Sequence, residues 1–129
     1  MSDRKARLIA LTTEFTQTFN RHDLEATMTF FTDDAVYEEL HGRCNEGKAA
    51  IRKAFEGLFS RKFGTMRFDE ADTFVDAAAG KVMTSWTLNL VIDGKPVALQ
   101  GLDLLHFAGE KIVRKLTYCK AKQPLYLET

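Results

Sequence analysis

Apolar and polar residues alternate along most of the second half of the chain, a pattern typical of β-strands that have one face against a core. The alternating stretches are residues 65–77, 81–92, 95–107 and 112–120. The second is the most regular, and 65–77 is the least regular because acidic residues interrupt it. Asp93-Gly94 separates the second stretch from the third and is a strong hairpin signal. The pattern therefore predicts four antiparallel strands.

The first half has helical periodicity. Apolar residues recur at three- and four-residue steps, which predicts one apolar stripe on each helix. The predicted elements are a helix at about 3–20, a short helix at 24–31, a strand at 35–40, a polar loop at 41–47 and a helix at 48–59. Helices first and long strands afterwards predict an α+β fold, with the helices on one side of a curved, mostly antiparallel sheet that encloses a cavity. We expect residues 1–129 to form one domain, with a tail from Pro124.

Asp103 is the polar exception on an otherwise apolar strand face. Alternation places it on the same face as Leu99, Leu105 and Phe107. A carboxylate is costly in such surroundings unless it is paired or protonated, and a protonated carboxyl can act as an acid catalyst or a hydrogen-bond donor. The alternative is that the strand bends and Asp103 reaches solvent or a backbone donor. The pattern leaves both open.

The composition narrows the classes of partner. Lys and Arg number 18, Asp and Glu number 18, and the two signs are interspersed without a basic block. Nucleic acid and anionic membrane surfaces are therefore not expected as partners. The N-terminus lacks the pattern of a signal peptide, and Cys44 and Cys119 show no metal or redox spacing. We expect a cytoplasmic protein with reduced thiols and no bound metal or other cofactor.

Three segments and the order of elements resemble a known superfamily. The segments are Phe19-Asn20-Arg21-His22-Asp23-Leu24-Glu25-Ala26, Phe31-Thr32-Asp33-Asp34-Ala35-Val36-Tyr37-Glu38 and Gly47-Lys48-Ala49-Ala50-Ile51-Arg52. Together they resemble the nuclear transport factor 2-like superfamily, which includes the ketosteroid isomerases and the SnoaL-like polyketide cyclases. The resemblance covers nearly the whole chain. It implies a cone-shaped fold, a cavity that binds a small molecule, and several chemistries on one scaffold.

The isomerase comparison implies roles for individual residues. The general base of the isomerases falls on Glu39, and their neutral oxyanion-hole acid falls on Asp103. The oxyanion-hole tyrosine falls on Phe15, which has no hydroxyl group. Half of that oxyanion hole is therefore missing, and Tyr37 or Tyr118 would have to supply a hydroxyl from elsewhere.

Further side chains are candidates for the wall of the cavity. His41 shares a face with Glu39 if the strand continues that far; it would then act as a hydrogen-bond partner or second base, and otherwise it is exposed to solvent. Trp86 lies on the apolar face of its strand, where an indole either packs in the core or stacks on a ligand. The predicted pocket residues are Phe15, Tyr37, His41, Phe55, Trp86 and Tyr118.

Two functions are compatible with these features. The first is a cofactor-free isomerase, lyase or hydrolase that acts on an apolar cyclic ketone, enone or polyketide-like compound by acid–base catalysis with Glu39 and Asp103. The second is a non-catalytic module that binds a small apolar ligand or dimerises. The outer sheet face, with residues such as Met83, Leu102 and Leu104, predicts a homodimer contact in either case.

Overall fold

A computed structural model describes residues 2–60 and 64–123, and in these residues three helices pack against one six-stranded sheet. The helices are α1 (Ser2–Asn20), α2 (Leu24–Met28) and α3 (Lys48–Phe59). The strands are β1 (Phe31–Glu38), β2 (Cys44–Glu46), β3 (Arg67–Asp76), β4 (Lys81–Ile92), β5 (Lys95–Ala108) and β6 (Lys111–Cys119). The predicted tail from Pro124 lies outside the described residues.

The sheet has the order β2-β1-β6-β5-β4-β3 and is mostly antiparallel, as predicted. The exception is the pair β1 and β6, which runs parallel. The register shifts within the pairs β1–β6, β3–β4 and β5–β6. An extra residue on one strand bends that strand and increases its twist, so these irregularities help to curve the sheet. The predicted α+β class with a curved sheet is confirmed.

The helices cover the concave face of this sheet with aromatic side chains. The buried stripe of α1 includes Leu8, Leu11, Phe15 and Phe19, at the predicted spacing. Phe55 of α3 meets Phe19 edge to face, with ring centroids 5.4 Å apart. Edge-to-face pairs add to the stabilisation that burial gives. With the exception of Phe74, the Phe side chains of the described residues thus lie in or against the core.

Two local predictions were wrong in the region between α1 and α3. The short helix was expected to reach Phe31, but it ends at Met28, and Phe31 already begins β1. Residues 41–47 were expected to form a loop, but Cys44–Glu46 forms β2, which pairs antiparallel with β1. Three residues are too few to show alternation, so only the pairing with β1 reveals β2.

The outer face of the sheet carries apolar side chains in the described strands. Phe74 is 70% exposed and Tyr118 is 49% exposed. Their cross-strand partners Met83 and Leu102 are half-buried. The homodimer contact expected on this face stays a prediction. None of the helices in residues 2–60 and 64–123 is long and apolar enough to cross a membrane.

Candidate functional site

A cavity of about 430 Å³ lies between the concave face of the sheet and helices α1 and α3. Most of its wall is apolar or aromatic, with Phe15, Phe19, Ala54, Phe55, Leu58, Phe68, Trp86, Leu88, Leu90 and Leu99. Leu40, His41 and Gly57 line it and are exposed, so they mark its opening. The volume and the apolar wall are typical of sites that bind small molecules.

The floor of the cavity is a polar cluster centred on Asp103 of β5. Thr117 Oγ1 donates to Asp103 Oδ1 over 2.6 Å, and Lys115 Nζ donates to the same oxygen over 3.0 Å. Trp86 Nε1 donates to Asp103 Oδ2 over 3.1 Å. The cluster is buried, and three donors with an opposite charge offset much of the cost of placing a carboxylate there.

A bulge in β6 turns Lys115 toward this cluster. Phe107 of β5 pairs with Ile112, and His106, the residue before it, pairs with Arg114. Val113 therefore has no partner on β5 and is the additional residue of the bulge. Since side chains alternate along a strand, one extra residue reverses which of the following side chains face inward. Lys115 therefore faces the cavity.

Lys115 is a cation held within the protein. Its side chain is 6% exposed, and Nζ lies 4.5 Å from the centroid of the Tyr37 ring, a cation–π distance. Burial by itself lowers the pKa of Lys115, but the charge of Asp103, together with contributions from Tyr37, the Asp103 hydrogen bond and Glu39, outweighs this effect, and the pKa lies above its ordinary value of 10.5. Burial raises the pKa of Tyr37, although the charge of Lys115 opposes the shift. At neutral pH the floor therefore contains an ammonium group and a neutral phenol.

Glu39 lies at the opening of the cavity, just after the end of β1. Its carboxylate accepts a hydrogen bond at Oε2 from Asn45 Nδ2 over 3.0 Å, and Oε1 lies 3.5 Å from His41 Nε2. The backbone N–H of Glu39 donates to the carbonyl of Arg43, which closes the turn that carries His41. Asn45, which is buried on β2, thus fixes the orientation of a carboxylate that is 22% exposed.

Seven of the eight predicted site residues line this cavity. They are Phe15, Tyr37, Glu39, His41, Phe55, Trp86 and Asp103. Tyr118 does not line it, because the bulge at Val113 turns Tyr118 to the outer face of the sheet. The prediction that Tyr118 belongs to the pocket was therefore wrong, and Tyr118 cannot supply the hydroxyl that Phe15 lacks. His41 was predicted either to contact Glu39 or to be exposed to solvent, and it does both: its side chain is 54% exposed and adjacent to Glu39.

The hydrogen bonds of Asp103 differ from those of a neutral acid. Trp86 Nε1–H and the Lys115 ammonium group can only donate, so both Asp103 oxygens accept. The isomerase comparison implied a protonated Asp103 that donates to a substrate oxygen. The carboxylate described here instead accepts hydrogen bonds from three protein groups. Its place in the cavity agrees with the prediction, but its hydrogen bonding does not fit the implied role as a donor.

The sequence matches the family model of the SnoaL-like domain over residues 12–115. This match includes α1 from Thr12 onward, the turn at the opening of the cavity, and β6 as far as Lys115. The chain belongs to the SnoaL-like family. No curated protein matches the sequence of this SnoaL-like domain.

Solved structures share the fold. The enzyme SalBIII, described as epoxide hydrolase/cyclase-like and involved in pyran ring formation in the polyether salinomycin, is 18% identical, with a TM-score of 0.79 over 93% of this chain and 95% of that one. A nuclear transport factor 2-like protein of unknown function from Mesorhizobium loti is 20% identical, with a TM-score of 0.76 over 92% and 94%. TerC, crystallised with polyporic acid, is 17% identical, with a TM-score of 0.74 over 88% and 92%. The SnoaL-like domain thus has the predicted superfamily fold.

Sequence reasoning missed the roles of three polar residues of this SnoaL-like site. Lys115 and Thr117 lie on a strand whose regular alternation would turn them outward, so no local signal identifies them. Asn45 lies in the segment that was predicted to be a loop. The predicted position of Asp103 offered one indirect signal, because a buried carboxylate requires donors, and Thr117 is its cross-strand neighbour.

The SnoaL-like domain was expected to act without a metal. Throughout residues 2–60 and 64–123, no group of three His, Cys, Asp or Glu side chains is arranged to hold a metal ion. Lys115 is the only Lys or Arg among the described residues of the cavity wall. The cavity thus has a carboxylate, Glu39, at its opening and a buried ammonium group, Lys115, on its floor.

Gly101 of the SnoaL-like domain is expected to be sensitive to a single methyl group. It lies opposite Trp86 in the β4–β5 pair, and a Cβ atom there would lie 2.5 Å from Trp86 Cη2 and 2.5 Å from the Tyr118 carbonyl oxygen. We expect Gly101→Ala to lower the free energy of unfolding by about 1–3 kcal/mol, the usual cost of overpacking. Urea unfolding measures it, and the emission of Trp86, the single tryptophan, should shift.

A second glycine provides the control for that measurement. Gly57 lies in α3, and a Cβ atom there meets no atom within 4 Å. Gly57→Ala should therefore stabilise the helix by about 0.5–1 kcal/mol. Equal effects of the two substitutions would contradict the close contact at Gly101.

The buried ammonium and phenol groups predict how stability depends on alkaline pH. A group whose pKa is raised by folding stabilises the folded state below its unfolded pKa, and this stabilisation is lost as the pH rises through the folded pKa. Folding raises the pKa of both Lys115 and Tyr37, whose ordinary pKa values are 10.5 and 10.0, so this loss at high pH applies to both groups. We expect the free energy of unfolding to fall above about pH 10, by at most about 1.4 kcal/mol per pH unit for each group. Urea unfolding between pH 7 and 11 measures it, with Tyr37→Phe as the variant that should flatten the decline.

Proposed function

We propose that this SnoaL-like domain is a cofactor-free enzyme that binds an apolar cyclic ketone, enone or polyketide-like compound and catalyses a proton transfer with Glu39 as the general base. The observation that carries the proposal is the position of Glu39. Its carboxylate is fixed by Asn45 at the opening of a cavity whose wall is mostly apolar. A positioned carboxylate is one of the common general bases.

The surroundings of Glu39 suit this role. Only Oε2 is held by Asn45, and Oε1 lies toward His41, whose imidazole is partly exposed. A proton removed from a bound ligand would be taken up at the carboxylate and could be passed through His41 to solvent. The same carboxylate could activate a water molecule, so isomerisation, elimination and hydrolysis all remain within the proposal.

The shape of the cavity supports a flat or cyclic ligand. Six Phe, Tyr and Trp side chains are among the described residues of its wall, and Phe15, Phe55 and Trp86 are buried. Of the proteins with the same fold, SalBIII is described in connection with pyran ring formation, and TerC was crystallised with polyporic acid. The likeness in fold supports the class of compound and does not identify it.

Exchange of hydrogen for deuterium tests the proposal without knowledge of the product. Cyclic ketones and enones are incubated with the protein in deuterated buffer, and deuterium at the carbon next to the carbonyl is followed by NMR. We expect protein-dependent exchange for at least one compound that binds. Binding without exchange, and without conversion of a matched panel of epoxides, would overturn the enzymatic proposal.

A second candidate is a non-catalytic protein that binds a small apolar ligand. Two observations favour it. Phe15 has no hydroxyl group, and both carboxylate oxygens of Asp103 already accept hydrogen bonds from protein side chains. Ligand binding that is unaffected by Glu39→Gln, with no exchange in the wild type, would be the result in its favour.

A further inference from the structure

Lys115 has donor capacity that its protein partners do not use. An ammonium group has three N–H bonds. Two of them are directed to Asp103 Oδ1 at 3.0 Å and to Thr117 Oγ1 at 2.8 Å. Nζ also lies 4.5 Å from the centroid of the Tyr37 ring, and Lys115 lines the cavity. A ring face is a weaker partner for an ammonium N–H than an oxygen atom, so a ligand oxygen can compete for it.

We propose that Lys115 binds the oxygen atom of the ligand and stabilises the negative charge that develops on it, so that Lys115 replaces the hydroxyl that Phe15 lacks. The ligands are then compounds whose oxygen becomes an enolate or phenolate. This inference rests on the proposed function and adds to it a catalytic residue and a class of substrate.

The charges of the cavity balance in this step. Before reaction, Glu39 and Asp103 are negative and Lys115 is positive. The C–H bond next to the carbonyl breaks, its proton goes to Glu39, and its electron pair forms the enolate, whose oxygen lies against Lys115. The net charge of the cavity is unchanged, and the new negative charge lies beside the one permanent cation in its described wall. Asp103 is a positioning residue, because it holds the ammonium group in place.

The groups that surround Lys115 explain why the ammonium form persists. Asp103 comes from β5, Tyr37 and Glu39 come from β1 and the segment after it, and Phe55 of α3 lies 5.8 Å away as a second ring. The negative charges of Asp103 and Glu39 both stabilise the ammonium form of Lys115. No other basic side chain is among the described residues of the cavity wall apart from His41 at the opening.

Binding of 4-nitrophenol tests the inference without a substrate. Its phenolate absorbs at longer wavelength than the phenol, so the bound form can be identified at a pH below its pKa in solution. 4-Nitroanisole has the same ring without an ionisable oxygen and is the matched control ligand. We expect the protein to bind 4-nitrophenol as phenolate, and Glu39→Gln to increase its affinity because the amide resembles the protonated base.

Two variants isolate the contribution of Lys115. Removal of Lys115 alone would leave Asp103 buried without a counter-charge, so Asp103→Asn is compared with the double variant Asp103→Asn/Lys115→Met. Neither contains the Asp103 charge, and they differ only at Lys115. We expect the double variant to bind 4-nitrophenol at least about tenfold more weakly and as the neutral phenol, since a charge-assisted hydrogen bond is lost. Binding of 4-nitroanisole should change less than about twofold.

The outcomes separate this inference from the proposed function. Equal affinity and equal absorption of 4-nitrophenol in the two variants would overturn the role of Lys115. The role of Lys115 would also be overturned if 4-nitrophenol bound as the neutral phenol to both the Asp103→Asn and the Glu39→Gln variants. Phenolate binding that depends on Lys115, together with neither deuterium exchange nor conversion of the epoxide panel, would support the oxygen site and overturn the enzymatic proposal. If 4-nitrophenol does not bind the wild type, the role of Lys115 is overturned, and the deuterium exchange experiment decides the proposed function by itself.

Discussion

Glu39→Gln lowers the rate of deuterium exchange, or of turnover once a substrate is known, by about 10²–10⁴-fold. Gln has nearly the same shape as Glu but has no basic oxygen, so it cannot accept the proton that leaves the ligand. Its amide oxygen can still accept the hydrogen bond from Asn45 Nδ2. The substitution therefore removes the base and keeps its position.

The control for this substitution is the adjacent residue. Glu38→Gln changes the charge by the same amount, but Glu38 does not line the cavity. Rates are measured by NMR for both variants, with thermal unfolding to confirm that each is folded. Similar losses in the two variants, or full activity in Glu39→Gln, would show that Glu39 is not the base.

Lys115→Met lowers the free energy of unfolding by about 3–5 kcal/mol. The reason is the carboxylate that remains: Asp103 is 7% exposed, and a buried charge that has lost its partner is strongly destabilising. The hydrogen bonds from Trp86 and Thr117 remain but do not supply a positive charge. Urea unfolding, followed by the emission of Trp86, measures the change.

The double variant Asp103→Asn/Lys115→Met should be much more stable than Lys115→Met. Asn is neutral, and its oxygen can still accept from Thr117 or Trp86, so no unpaired charge remains. Replacement of a whole buried ion pair is often nearly neutral, whereas removal of one partner is not. A double-mutant cycle with the two single variants gives the coupling energy. Additive effects would contradict an ion pair between these two side chains.

The fold could be predicted in large part from the sequence. The helix at Lys48–Phe59 and the strand at Lys81–Ile92 have the predicted bounds, because each is long enough to show its own periodicity. The bounds of the short elements were predicted less accurately. β2 has three residues, and the parallel pairing of β1 with β6 joins segments that lie far apart in the chain.

The sequence predicted the site residues that lie on strands whose side chains alternate regularly between the two faces of the sheet. Asp103 and Trp86 face the cavity because β4 and β5 keep a regular register with each other. Glu39 was placed by the resemblance to the ketosteroid isomerases, and the structure places it at the opening of the same cavity. Its role as a base is a proposal that the exchange experiment tests.

By itself, the sequence determined the α+β class, the aromatic core, and the presence of a carboxylate on an apolar strand face. These depend on local periodicity and on the cost of burying charge. The chemical environment of that carboxylate depends on contacts between strands, which the sequence pattern does not show. One bulge residue, Val113, reverses the following alternation in β6, which brings Lys115 inward and turns Tyr118 outward. Its position depends on how β6 pairs with β5, and the residues of β6 taken alone do not specify it.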